Sequence, residues 1–127
     1  MAILSAGELS ERLAATPRLS TRVVSAAEIA EGAELLVQRL TGRARVALES
    51  AFAAVSEGAK PRVMEDAVII TISECVLDER GHRVMPEHQA KQLFQKFPEV
   101  AFRVRDTAME LAGMTDDEVA DLAQDFG

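Results

Sequence analysis

Apolar residues return every three or four positions through most of this chain, and two short stretches near the N-terminus break that rhythm. The first element is a helix. Ser5 precedes Glu8 by three residues, a capping-box spacing, and Leu4 and Leu9 stand where a hydrophobic staple would close. It should run to about Ala15, before Pro17 stops it. Its apolar face is thin, made of Leu9, Leu13 and Ala14, so residues 1–20 are expected to form a helix that docks weakly or moves. The two breaks in rhythm follow at residues 21–25 and 35–40, the first through its β-branched side chains. They predict a small antiparallel strand pair within residues 21–40. Residues 26–31 between them read either as loop or as a helical turn.

From Thr41 onward the helical period dominates. Thr41 reads as an N-cap for a helix over 42–56, with Ala44, Ala47, Leu48, Ala51, Phe52 and Val55 at helical spacing and Gly58 as its stop. Pro61 suits the first position of the next helix, which carries Val63, Ala67, Ile70 and Val76. Within it, residues 68–72 are β-branched enough for a strand, whereas the length of the run with its flanks favours a buried helix. Residues 78–81 form a turn ending in Gly81, and 82–85 a short extended piece. Pro86 opens a helix over 87–96. Pro98 begins a fifth, lined by Val100, Ala101, Val104, Ala108, Leu111 and Ala112 and capped at Gly113. Thr115 and Glu118 form a second capping box, stapled by Met114 and Val119, and the last helix should reach Gln124. The expected fold is mainly α with a small antiparallel β element near the N-terminus, an α+β chain with residues 41–127 as a compact helical body. At 127 residues the length predicts a single domain over 1–127.

Charge narrows the partners. The formal net charge is −7 and is unevenly spread: residues 1–57 carry seven acids and six bases, residues 58–127 fourteen acids and eight bases. From Asp106 to the end no base occurs. Phosphate backbones and anionic membranes are held by Lys and Arg, so neither nucleic acid nor membrane is an expected partner. The N-terminus lacks the basic region and long apolar run of a signal peptide, and no stretch approaches 18 consecutive apolar residues. A single cysteine, Cys75, cannot close an internal disulfide and fits a reducing cytoplasm.

The chemistry of catalysis is sparse. Cys75 lies in an apolar run, where thiols are inert, and there are two histidines and no nucleophile elbow. Cys75, Asp78, His82 and His88 match no zinc spacing. Residues 78–89 fail as a calcium loop because Arg80, His82 and Gln89 occupy positions that need oxygen ligands. Asp116, Asp117 and Glu118 suit a helix N-terminus, and Asp121 and Asp125 a solvated face. An enzyme built from Cys75, the histidines and these acids would lack convergent polar groups. No catalytic residue, metal or cofactor is expected. What stands out is apolar surplus on short elements: Leu35, Leu36, Val37, Leu93, Phe94, Phe97, Phe102 and Met109. These are core, or some of them line a groove for an amphipathic helix. Leu35, Val37, Phe94 and Phe97 are the candidate partner-binding residues.

The order of these features carries a resemblance. A strand pair ends in residues 36–42, Leu-Val-Gln-Arg-Leu-Thr-Gly, and leads directly into a helix. A long apolar helix ends in residues 76–85, Val-Leu-Asp-Glu-Arg-Gly-His-Arg-Val-Met. Helices follow, with Met-Glu-Leu-Ala-Gly-Met-Thr at 109–115, an acidic last helix, and Asp125 and Phe126 near the end. Over roughly residues 20–126 this resembles the tail assembly chaperones of long-tailed bacteriophages and of related prophages or phage-like particles. The resemblance implies a protein of the bacterial host cytoplasm that binds the long tape measure protein, keeps it soluble and helps tail tube subunits polymerise around it. It also implies self-association, no catalytic residues, and two lengths made by ribosomal frameshifting, of which this chain would be the short one. One departure is that residues 25–32, Ser-Ala-Ala-Glu-Ile-Ala-Glu-Gly, lack the Pro-acid-Trp segment of many relatives. The competing expectation is a structural head–tail connector or tail completion protein that stays in the particle.

Overall fold

The computed structural model describes residues 3–15 and 20–114. Helix α1 spans Ala6–Ala15. Its start is capped as the sequence predicts: the Ser5 hydroxyl accepts the Glu8 N–H at 3.2 Å and lies 3.1 Å from the Glu8 carboxylate, to which it donates. Every side chain from residue 3 to 14 is exposed, in keeping with the thin apolar face.

Strands β1 (Thr21–Ser25) and β2 (Glu34–Gln38) pair antiparallel, with Val24 opposite Leu35 and Val23 opposite Leu36. Because side chains alternate between faces, Arg22, Val24, Leu35 and Val37 point inward while Val23 and Leu36 point outward. Residues 27–32 are turns. Strand β2 stops at Gln38, short of the expected Leu40. There the Leu40 N–H turns away to the carbonyl of Ala108, 3.3 Å off, and its side chain enters the core.

Helix α2 (Gly42–Ser56) begins at Thr41, whose hydroxyl accepts the Ala44 N–H at 3.3 Å. It buries Ala44, Leu48 and Ala51. Helix α3 (Arg62–Cys75) starts one place later than expected, with Pro61 at its N-cap. The ambiguous run 68–72 is helical. It belongs to the central helix, packed against α2 and two further helices, α4 (Glu87–Lys96) and α5 (Pro98–Leu111). Residues 67–69 and 71–75 are all buried. An all-round apolar helix is what such a position requires. Its buried Thr71 is satisfied by donating to the Ala67 carbonyl at 2.9 Å.

The expected continuation of α3 through Val76 does not occur. The chain straightens at Val76 into a two-residue strand, β3 (Val76–Leu77), which pairs antiparallel with β2: Leu77 opposite Leu36, Val76 opposite Val37. The sheet therefore has three strands in the order β1-β2-β3. A tight hairpin follows. The Asp78 carboxylate accepts the N–H groups of Arg80 and His82 at 2.8 and 3.0 Å, Gly81 takes φ +83°, and Arg83 bridges back to Leu77.

Helix α5 lies against the inner sheet face, burying Val100, Ala101, Val104 and Ala108. It ends at Leu111, and Gly113, φ +77°, turns the chain so that the Met114 N–H returns to the Met109 carbonyl at 2.9 Å. Arg103 clamps the hairpin loop to this helix. It grips both Glu28 oxygens, at 3.0 and 2.6 Å, and the Ser25 carbonyl at 2.7 Å. The capping box at Thr115 and the last helix to Gln124 lie outside the described residues.

Candidate binding surface

The outer face of the sheet carries a row of apolar side chains that opens to solvent toward β1. The strand registers place Val23, Leu36 and Leu77 side by side across β1, β2 and β3. Val23 is 55 % exposed, Leu36 is half-buried, and Leu77, 7 % exposed, is buried at the floor. With Val84, which is half exposed, and the Asp78–Arg80 turn they line an open trough of about 740 Å³. Glu34 stands on its rim at the start of β2, and Asp78 and Glu79 in the turn after β3. The backbone N–H groups of His82 and Arg80 hold the Asp78 carboxyl below the usual carboxylate range.

The four residues picked from the sequence do not meet in one place. Leu35 is half-buried, packs on the core and reaches the trough edge. Val37 is fully buried between the sheet and the helices, so its side chain presents no surface. Its inward face follows from the same alternation that turns Leu36 outward. Phe94 and Phe97 belong to a different patch. Phe97, with Ile29, Met85 and Leu93, lines a smaller hollow of about 250 Å³ beside Lys96. Phe94 packs edge-on against Phe102, ring centres 5.6 Å apart, and Arg105 lies 4.9 Å above the Phe102 ring. The residues that sequence reasoning missed are Val23, Leu77 and Val84. Val23 was readable from the strand alternation; Leu77 was hidden because its strand is two residues long.

Several polar groups inside the body are held in one network. Glu74, at the end of α3, is 6 % exposed. One of its oxygens takes a hydrogen bond from Thr41 at 3.1 Å; the other lies 2.5 Å from the Arg83 guanidinium, close enough for an ion pair but off the hydrogen-bond axis. Gln38 donates to the Glu74 carbonyl at 2.8 Å. This network fastens the start of α2, the end of β2 and the hairpin to one point. Cys75 beside it is fully buried, and burial pushes its thiol up to about 11, so it is not a nucleophile at neutral pH. His82 and His88 are exposed. Among the described residues no group of three or more His, Cys, Asp or Glu gathers as metal ligands, and no helix is long and apolar enough to cross a membrane.

No protein-family model and no curated protein matches the sequence. The fold does match a solved structure, the tail assembly chaperone of bacteriophage HK97, with a TM-score of 0.54 over 87% of this chain and 99% of that one, at 16% identity. The chain shares the fold of that structure. The mainly helical α+β architecture expected from the sequence is thus observed, and its likeness extends over nearly the whole of the solved chaperone. At this identity the likeness is one of backbone architecture, and side-chain surfaces such as the trough belong to this chain.

Proposed function

We propose that this chain is a phage tail assembly chaperone: a binding protein that holds the tape measure protein soluble and assists tail tube assembly in the bacterial host cytoplasm. The observation that carries the reading is the likeness over almost the full length of the HK97 chaperone. The uncovered trough supports it. A holding protein needs apolar surface on an otherwise polar body, and the trough supplies a concave stretch of it. The reading also includes self-association and a single folding unit.

The test is co-expression with the longest open reading frame downstream of this chain's gene, the candidate tape measure protein. The expected result is that the tape measure protein becomes soluble and co-purifies with the tagged chain. If it stays insoluble and unbound, while mass spectrometry finds this chain in purified particles, the protein is a retained connector or tail completion component instead.

A further inference from the structure

We propose that the outer face of the sheet takes an amphipathic helix whose apolar ridge is flanked by lysine or arginine. The proposal rests on the chaperone reading for the identity of the natural partner, while the chemistry of the occupant comes from the trough itself.

Neighbouring strands lie about 4.8 Å apart, so the row Val23, Leu36, Leu77 spans roughly 10 Å from first to last. A helix rises 1.5 Å per residue, so ridge positions i, i+3 or i+4, and i+7 also span about 10 Å. A helix laid across the strands sets successive ridge residues on Val23, on Leu36 and over the largely buried Leu77, where the exposed Val84 adds to the lining. The rim then decides the sign of its flanks. Glu34, Asp78 and Glu79 line the trough against Arg80. Most ion pairs of the described surface tie one element of the body to another, as in Arg22–Glu110, Arg43–Glu87 and Arg103–Glu28. Among the described residues Glu34 and Glu79 enter no such pair, which leaves their charge for a basic partner. The same rim disfavours α1 from this or a second copy, because that helix carries Glu8 and Glu11 against Arg12.

The experiment uses the full chain and two labelled synthetic helices of about four turns, both with a leucine ridge, one flanked by lysines and one by glutamates. Fluorescence anisotropy reads binding. The lysine helix should bind about tenfold or more tighter than the glutamate helix. Val23→Asp, at an exposed site that spares the fold, should weaken the lysine helix about tenfold. The double change Glu34→Lys and Glu79→Lys should invert the preference, while Glu57→Lys with Glu65→Lys, away from the trough, should leave it. Circular dichroism confirms folding of each variant. If the wild type binds neither helix, binds both alike, or ignores the trough substitutions, the proposal is overturned. Tape measure protein held equally well by the wild type and the Glu34→Lys, Glu79→Lys variant would sink the trough and spare the chaperone reading. Trough variants that behave as expected, with no tape measure protein held, would do the reverse.

Discussion

Cys75 is a buried residue whose chemistry is switched off by its surroundings. Removal from water favours the neutral thiol, and the Sγ lies 3.8 Å from the Arg39 carbonyl. Alkylation at neutral pH should therefore be slow in the native protein and fast in denaturant, which a timed iodoacetamide reaction read by mass will show. The thiol is raised from 9.0 to about 11 by folding, so its contribution is intact below pH 9 and fades as pH climbs toward 11. Glu28 titrates at the other end of the scale. Its hydrogen bonds to Arg103 first, and then to its own backbone, lower it from 4.5 to about 2. A carboxyl depressed on folding contributes above its unfolded value and loses that contribution as pH falls through the folded one. Glu28→Gln should thus lower the melting temperature at pH 6, with the difference from wild type closing between pH 4.5 and about 2. A gap unchanged at pH 2 would mean that the Arg103 clamp is not what the substitution removes.

At the scale of elements, the hairpin after α3 shows how a short segment is fixed by turn chemistry. Gly81 at φ +83° lies in the left-handed region, which a side chain enters at a cost of roughly 1–2 kcal/mol. Gly81→Ala should destabilise by about that much in urea titration, and Gly81→Asn by less, since asparagine visits this region more readily. The turn carries Asp78, Glu79 and Arg80, so the same change should also disturb binding in the trough. Most elements were legible in advance, because each had a local signal: the Ser5 and Thr41 caps, the prolines at 61, 86 and 98, the glycines at 58, 81 and 113. Strand β3 had none. Two residues are too few to show a period, and Val76 reads equally well as the last turn of α3. Pairing with Val37 and Leu36 settles it, and that partner lies 39 to 41 positions upstream.

On the scale of the whole molecule, α3 is the axis on which the rest is assembled. It touches α2, α4 and α5 and delivers β3 to the sheet. Ile72 at its centre is fully buried. Ile72→Ala should cost about 2–5 kcal/mol, the range for truncating a packed aliphatic side chain. If the helices and sheet fold as one unit, chemical denaturation followed by far-UV dichroism and by native-state thiol protection at Cys75 will give coincident transitions. Two separate transitions would split the body into independent parts.

The sequence by itself determined what depends on neighbours along the chain: most of the helix caps and breaks, the hairpin alternation and the acidic balance. Those signals are local, and an apolar residue at helical spacing is apolar wherever the helix lies. It also showed a surplus of Leu, Val and Phe on short elements. Tertiary structure decided which of them meet water. Val37 and Leu36 are adjacent and chemically alike, yet one is sealed in the core and the other lies in the trough. That choice rests on which side of the sheet α5 covers and on β3 extending the row to Leu77. Both are contacts between segments far apart in the chain, and no pattern within either segment encodes them.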